Sequence, residues 1–334
     1  MVPGYRHLRG NHCGSTALRN LLGFHGVELT EEMAFGLGAG AGFYFVPMDG
    51  QSPSCFTNGR TSRLEEQFVR LTGAPLALRT FESADESWDA ARERIEAEAP
   101  ALLLTDLYYL DHYGRSAHFP GHAVVLAGFD DEVAYLSDTA FEELQTTTLP
   151  SLRDARHANH PVFPLAGHMF VAGEGIDSWE PRDAAPEAIA LCAERMIEPP
   201  LGEFEGLPGM RRFAAEVGSW PQVLDDWKWC ARFCYQVIER RGTGGGNFRL
   251  MYSRFLAECE RDGLAPVGAC AELAGEAAAA WTVLAAELQA ASGEDAATDG
   301  EAQPDAARWQ RVGELAAAAL ALEERLWPEL AAAI

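Results

Sequence analysis

Lysine and long apolar runs are scarce in this chain of 334 residues. Lys228 is the one lysine, and 26 basic residues face 50 acidic ones, which gives a formal charge of −24. Phosphate binding needs clustered Lys and Arg, so we expect no nucleic-acid partner. The acidic surface favours cationic small molecules, or serves only solubility. No apolar run reaches the roughly 18 residues of a membrane span, so we expect no membrane partner.

A matched set of cysteines is also missing, because the seven present are an odd number spread over a large chain. This argues against a disulfide framework and indicates reduced thiols. Residues 1–7 contain no apolar signal core, which together with the thiols predicts a cytoplasmic protein. Cys230 and Cys234 have no second Cys or His pair nearby, so we expect core packing there. We expect no metal and no cofactor.

Two domains are predicted, with the boundary in the Gly/Pro/acid-rich connector 173–186. Residues 1–176 mix helical patterns with apolar strands, which predicts an α+β domain with an antiparallel sheet; the segments are 64–71, 88–97, 101–105, 121–129, 133–136 and 168–171. Residues 177–334 predict an all-α domain with helices near 184–196, 209–217, 223–240, 248–260, 271–290 and 309–327. Its composition predicts a disordered loop at 292–306. We expect its tryptophans to fill contacts between helices or a homodimer interface.

Cys13 is the strongest candidate for a reactive group. It lies in the segment GNHCGS, before four apolar residues whose helical spacing predicts a buried helix face: Ala17, Leu18, Leu21 and Leu22. Cys13 would then lie in the first turn, where unpaired N–H groups and the helix dipole favour negative charge. The thiolate is the nucleophilic form of cysteine. Three arginines and no acid within residues 1–20 add positive charge: Arg6, Arg9 and Arg19.

His122 is the candidate base for Cys13, and Asp138 is the candidate that orients it. His122 opens an apolar strand, where the ordinary alternative is a structural histidine. A turn at Asp130 and Asp131 would place His122 opposite residue 138 or 139, with side chains roughly 5 Å apart. A slip of one residue would turn Asp138 to the other face. Cys13, His122 and Asp138 therefore form a predicted nucleophile–base–orienter triad.

This arrangement resembles papain-like cysteine enzymes, in which a helix begins at the nucleophile and an antiparallel sheet carries a His and then an Asp or Asn. The order and spacing look like those of the bacterial double-glycine peptidases. The first half resembles the butirosin biosynthesis protein H family through HCGSTALRNLL, FGLGAGAGF, LLLTDLYYLD, GHAVVLAGFDDEVAYLSD and TTTLPSLRDAR. The second half resembles the helical domain that often follows, through GLPGMRRFAAEV and GTGGGNFRLMYSRFL.

The resemblance implies an acyltransferase of specialised metabolism with a papain-like domain. The family's named member moves an aminoacyl group from an acyl carrier protein thioester to an aminoglycoside amine, in antibiotic biosynthesis. Here Cys13 would attack the thioester of a carrier protein or of coenzyme A, His122 would relay protons, and an amine-bearing small molecule would accept the acyl group. Two alternatives stay open: a cysteine amidase or peptidase that uses water, and a non-catalytic binding or scaffold protein.

The oxyanion donors are less well defined. Double-glycine peptidases usually carry a stabilising Gln where this chain has His7. The predicted donors are therefore backbone N–H groups near Gly14, together with Asn11 or His7. Asp106, beside Tyr109, ends a buried strand, where it would bind an acceptor ammonium or simply cap the fold.

Three further segments have a functional and a structural interpretation. Gly244, Asn247 and Arg249 lie in a glycine-rich connection, which predicts either a substrate contact or a linker in which Asn247 caps the next helix. The segment Phe35–Phe43 lacks the ending of a phosphate-binding loop, and we expect a flexible loop near Cys13. His112 and His118 precede His122, and structural or surface roles are expected for both.

Overall fold

The chain folds into two compact units. The computed structural model describes residues 1–161, 163–293 and 304–334. The first unit joins residues 1–34 to 64–181, and the second joins 35–63 to 182–334. The division predicted at residue 177 lies close to the passage into the second unit at residue 182. The two divisions differ for residues 35–63, which the prediction assigned to the first domain.

The helices and strands of the first 181 residues are, in chain order, α1 (Cys13–Phe24), α2 (Glu31–Leu37), β1 (Ala41–Pro47), β2 (Cys55–Arg60), α3 (Leu64–Thr72), β3 (Leu76–Arg79), α4 (Ala84–Glu96), β4 (Ala101–Asp106), β5 (Pro120–Phe129), β6 (Val133–Ser137), β7 (Gln145–Thr148), α5 (Leu149–Arg156) and β8 (Met169–Ala172). The later helices are α6 (Ala185–Ile197), α7 (Gly206–Glu216), α8 (Trp220–Val223), α9 (Trp227–Glu239), α10 (Arg249–Arg261), α11 (Gly268–Ser292) and α12 (Ala306–Ala333). Each helix and strand predicted from the sequence overlaps one of these elements.

The first unit is built around an antiparallel sheet with the strand order β3-β8-β4-β5-β6-β7. Every residue of β4 is buried, as is β5 from His122 to Gly128. Strands covered on both faces read as nearly continuous apolar runs, which explains both sequences. Helix α1 packs on β5, and α5 packs on β4. The predicted α+β domain with an antiparallel sheet is confirmed.

The hairpin of β5 and β6 carries two of the predicted site residues, and its register differs from the prediction. Val125 pairs with Ser137, whereas the predicted register puts Val125 opposite residue 135 or 136. A turn over residues 130–133 and an irregularity within β5 together cause the difference. The observed register is thus two residues from one predicted alternative and one residue from the other. Asp138 lies directly after β6, and its carboxylate reaches His122.

The second unit contains a β-hairpin besides its helices, because it includes residues 35–63. The described part of residues 177–334 is helical, as the sequence predicts. Strands β1 and β2 pair in antiparallel fashion, and they pack on α7 and α9 respectively. The segment Phe35–Phe43 is not the predicted loop, because it ends α2 and opens β1. Phe35 is fully buried and stacks on Phe248 at a ring separation of 5.7 Å. Burial of its aromatic residues explains why this glycine-rich segment is ordered.

Helices after residue 182 pack through large aromatic side chains. Several tryptophans are buried among them, as the sequence predicts: Trp220, Trp281, Trp309 and Trp327. The predicted loop 292–306 falls largely on residues 294–303, which lie outside the described residues. No helix that the structure describes has the length and apolar character to cross a membrane.

Candidate active site

Cys13 begins helix α1, as the sequence predicts. His12 is the N-cap residue in extended conformation, and its side chain accepts a hydrogen bond from Ser15 N at 3.3 Å. The predicted apolar face of the helix is buried. Cys13 is partly exposed, whereas the other six cysteines are buried. A reagent can therefore reach this thiol, at a position where the helix dipole favours a thiolate.

Glu31 fixes the start of this helix. Its carboxylate accepts hydrogen bonds from Asn11 N at 2.8 Å and His12 N at 2.7 Å. The Thr16 hydroxyl, one turn into the helix, donates to the same oxygen at 3.1 Å. Glu31 is 5% exposed, so these charge-assisted bonds are sheltered from water. No local sequence pattern indicates this role, since Glu31 follows Cys13 by a whole helix and a turn.

His122 and Asp138 are in direct contact at the adjoining end of the sheet. Nε2 of His122 lies 3.0 Å from Oδ2 and 3.1 Å from Oδ1 of Asp138. The His122 side chain also interacts with that of Cys13. Because Nε2 faces the carboxylate, Nδ1 is the ring nitrogen that remains for the thiol. The structure thus brings together the thiol, the imidazole and the carboxylate that the sequence singled out.

The charges of this cluster stabilise one another. Burial alone would lower the pKa of His122, but Asp138 and Cys13 raise it to about 10. Burial alone would raise the pKa of Asp138, but His122 and His112 hold it well below its usual value. Near neutral pH the imidazole is therefore protonated and the carboxylate is ionised. An imidazolium beside Cys13 in turn favours the thiolate.

Two further side chains hold the Asp138 carboxylate, and the sequence did not single them out for this role. His112 Nε2 lies 2.9 Å from Oδ2, and the Tyr113 hydroxyl donates to Oδ1 at 3.1 Å. Burial and the adjacent Asp138 charge raise the pKa of Tyr113, so its hydroxyl keeps the proton that it donates. Of the two roles expected for His112, structural or surface, the structure agrees with the structural one. The sequence feature that could have indicated the role of His112 is its position in the connection between β4 and β5.

The arrangement has the elements of nucleophilic catalysis. A partly exposed thiol contacts a buried imidazole, and a fully buried carboxylate fixes the orientation of that imidazole. The imidazole can hold a proton, release it to a leaving group and take one from an attacking group. Geometry of this kind serves transfer and hydrolysis equally.

The structure does not support an oxyanion role for His7. Nδ1 of His7 lies 2.7 Å from Ser137 Oγ, and Nε2 lies 2.9 Å from Phe141 O. The two ring nitrogens thus tie the N-terminal segment to the last residue of β6 and to the segment that follows it. Asn11 is exposed, and its Nδ2 donates one proton to Glu31 at 3.1 Å. One amide proton of Asn11 is thereby committed to holding the helix start.

Gly14 has a packing reason to be glycine. A Cβ atom at this position would lie 2.2 Å from Oε1 of the buried Glu65. Because a contact under 3.0 Å forces a shift, an alanine here would require the carboxylate end of Glu65 to move. The position of Gly14, one residue after Cys13, leaves its backbone N–H as an oxyanion candidate.

Asp106 serves the fold rather than a ligand. One of its oxygens accepts from Tyr108 N at 3.1 Å and Phe119 N at 2.9 Å, and the other lies 2.7 Å from His118 Nδ1. The carboxylate thereby joins the two ends of the connection between β4 and β5. The predicted ammonium site at Asp106 is not supported, because this buried carboxylate already has these partners. Tyr109 packs edge-to-face on Tyr108, at a ring separation of 5.2 Å.

The substrate-binding candidates of the glycine-rich connection are structural within the second unit. Arg249 is fully buried, its Nε donates to Glu323 at 2.8 Å, and its Nη1 donates to the carbonyls of Gly42 and Gly59. Asn247 is buried and is not the N-cap of α10, which is Phe248. Gly244 adopts a φ of +65°, a backbone conformation that favours glycine. The predicted substrate contact is therefore not supported.

The electropositive region expected around Cys13 is partly neutralised. Arg9 forms an ion pair with Glu142. Arg19 donates to the carbonyls of Leu8 and Arg9, so its charge holds the N-terminal segment in place. Arg6 is exposed.

Two protein-family models match the chain. The first, Butirosin biosynthesis protein H, N-terminal, matches residues 12–139, and this range contains Cys13, His122 and Asp138. The second, Domain of unknown function (DUF4872), matches residues 150–330. A search of the curated proteins found no match. The chain therefore belongs to the butirosin biosynthesis protein H-like family, in which this N-terminal domain is followed by the domain of unknown function.

Proposed function

We propose that this protein is a cysteine-dependent acyltransferase of specialised metabolism, with a papain-like first domain. It would move an acyl or aminoacyl group from a carrier-protein or coenzyme A thioester to an amine. The observation that carries the proposal is the contact of Cys13 with His122, whose ring is held by Asp138. The family name adds the setting, because it refers to the biosynthesis of butirosin.

In the first half-reaction Cys13 acts as the nucleophile. Its thiolate attacks the thioester carbonyl, the bond between that carbonyl carbon and the donor sulfur breaks, and an acyl-enzyme forms. The leaving thiolate takes the proton held by His122. With a pKa raised to about 10, His122 is protonated when the donor binds. Cys13 is then already a thiolate beside the imidazolium, so no separate base is needed to deprotonate it.

In the second half-reaction His122, now neutral, accepts the proton of the attacking amine. The new C–N bond forms, the C–S bond to Cys13 breaks, and the thiolate–imidazolium pair is restored. Asp138 stays ionised throughout and keeps the ring in place, which is the role of the third member of a triad. We assign the developing oxyanion to the backbone N–H groups at the start of α1, at Cys13 and Gly14.

The experiment that tests the proposal is intact-mass measurement after incubation with a set of acetyl and aminoacyl N-acetylcysteamine thioesters. The wild-type protein should gain one acyl mass, and Cys13→Ala should gain none. Cys270→Ala, which removes a buried cysteine instead, should gain the acyl group like the wild type. No adduct with any thioester would contradict acyl transfer and favour a scaffold.

Addition of amines then separates transfer from hydrolysis. An amino-sugar acceptor should discharge the acyl-enzyme and yield an amide, which chromatography with mass detection would identify. Release of free acid alone, at the same rate with and without amines, would make the protein a cysteine hydrolase. Transfer and hydrolysis would both use Cys13, His122 and Asp138, so the acceptor of the acyl group, an amine or water, distinguishes the two reactions.

A further inference from the structure

Two imidazoles share one buried carboxylate in the first unit. His122 and His112 each present Nε2 to Asp138 Oδ2, at 3.0 and 2.9 Å. The side chain of Asp138 is fully buried, and that of His112 is 6% exposed. A triad needs one imidazole on its carboxylate, so the second one requires an explanation.

His112 is held in place from three directions. It lies in the short helical turn Asp111–Tyr113. The Asp111 carboxylate accepts from Thr148 N at 2.8 Å and from the Ser151 hydroxyl at 2.8 Å, which ties this turn to β7 and α5. The ring of Phe141 meets the His112 ring edge-on at 5.2 Å. The position of His112 is thus built by the fold and does not depend on Asp138 alone.

The two ring nitrogens of His112 have different surroundings. Nδ1 is buried and has no hydrogen-bond partner among the described residues. Nε2 faces the Asp138 carboxylate, so this nitrogen carries a proton and donates it to Asp138. His122 differs, since it has partners in both Asp138 and Cys13.

We propose that His112 is a positioning residue for the reaction, which acts on Cys13 and His122 only through Asp138. The inference rests on the proposed function. When His122 gives its proton to the leaving thiolate, the Asp138 carboxylate loses its charged partner. The hydrogen bonds from His112 and Tyr113 then keep the carboxylate ionised and aimed at His122 until the amine returns the proton. No atom of His112 touches the acyl group.

The test is a double-mutant cycle on the rate at which iodoacetamide alkylates Cys13, followed by intact mass. His112→Phe keeps an aromatic ring beside Phe141 and removes the donor. It should slow alkylation about tenfold, the effect of losing a hydrogen bond to a charged group. In an Asp138→Ala background the same change should slow alkylation by less than about twofold, because residues that act as one unit are not additive. A packing role would give equal losses in both backgrounds and would overturn the proposal.

A matched pair of variants tests the donor itself. His112→Gln places an amide nitrogen near the position of Nε2 and should stay within about threefold of the wild-type rate. His112→Asn places it near Nδ1, too short to reach Asp138, and should be about tenfold slower. If His112→Phe fails to fold, as judged by thermal unfolding, this pair carries the test alone. Gln and Asn variants of equal rate would overturn the proposal.

Failure of the proposed function would leave this test intact, because alkylation needs no acyl donor. A protein that forms no acyl-enzyme would still show the cycle if His112 acts through Asp138. Conversely, an active acyltransferase in which His112→Phe alkylates at the wild-type rate would retain its function and lose this inference.

Discussion

Each unit of the molecule buries a carboxylate, and the two carboxylates have opposite characters. In the second unit Glu323 accepts from Arg249 at 2.8 Å, from Trp281 Nε1 at 2.6 Å and from Trp327 Nε1 at 2.6 Å. In the first unit Asp138 is held by two imidazoles and a tyrosine, and one of those imidazoles contacts a partly exposed thiol. Burial and charge are common to both clusters.

The difference lies in what the partners can do with a proton. The donors to Glu323 are a guanidinium and two indoles, which keep their protons at all ordinary pH values. The donors to Asp138 include His122, which can pass a proton on because histidine titrates. The Glu323 cluster is also closed, because both Arg249 and Glu323 are fully buried, whereas Cys13 is open to a reagent. A buried charged group therefore indicates a catalytic site only where one of its hydrogen-bond partners can titrate and contacts a group that a reagent can reach.

The largest expected effect is on catalysis, through Asp138→Asn. The amide has one acceptor oxygen, so it cannot serve His122 and His112 as the carboxylate does, and it carries no charge to stabilise the imidazolium. We expect thioester cleavage to fall by about 10³-fold or more, as for loss of the orienting carboxylate in a serine triad. Assays stopped at set times, with an N-acetylcysteamine thioester as the acyl donor, would measure the rate of thioester cleavage. Glu323→Gln should leave the cleavage rate of the folded protein unchanged; a comparable fall there would erase the distinction between the clusters.

The next effect is on stability, through Arg249→Met. Removal of one member of a buried ion pair leaves the other charge without compensation, and this costs about 3–5 kcal/mol in the free energy of unfolding. Denaturant titration followed by tryptophan fluorescence would report it, since Trp281 and Trp327 both contact Glu323. The double change Arg249→Met with Glu323→Leu should recover much of the loss. A single variant as stable as the wild type would show that the pair does not hold the second unit together.

The smallest effect is a pH dependence of stability that only the first cluster should show. Folding raises the pKa of His122 from 6.5 to about 10. Its contribution is therefore fully present below pH 6.5 and is lost as the pH rises to about 10. Asp138, whose pKa is lowered, contributes above its ordinary value and loses that contribution as the pH falls through its folded pKa. Urea titrations at pH 6, 8 and 10 should show a free energy of unfolding that declines as the pH rises, and His122→Gln should reduce this decline. An equal decline in the wild type and the variant would contradict a stabilising interaction between His122 and Asp138.

The features of the site that depend on a local sequence pattern could be predicted from the sequence. Helical spacing predicts that Cys13 lies in the first turn of α1, and two apolar strands joined by a turn predict that Asp138 meets His122; both features are present. The observed register differs by one or two residues from the predicted alternatives, because the local pattern does not reveal the irregularity in β5. The contact is present nonetheless, since Asp138 lies directly after β6 and reaches His122.

Contacts between distant residues could not be predicted in the same way. Glu31 meets the start of α1 only after the chain has made a helix and a turn, and His112 meets Asp138 across a connection with no regular pattern. The glycine-rich segment before Arg249 predicts either a substrate contact or a linker, and it does not indicate a buried ion pair. Its carbonyl partners in β1 and β2 lie some two hundred residues away in sequence, and no local pattern reveals them.

The most direct test of the central claim is the pH dependence of Cys13 alkylation by iodoacetamide. Because His122 stays protonated up to a pKa of about 10, we expect a thiolate at Cys13 that persists in weak acid. The alkylation rate at pH 6 should lie within about fivefold of the rate at pH 8. A free cysteine with the usual pKa of about 8.5 would lose roughly 70-fold over the same interval. A loss of that size in the wild-type protein would contradict the thiolate–imidazolium pair and the acyltransferase built on it.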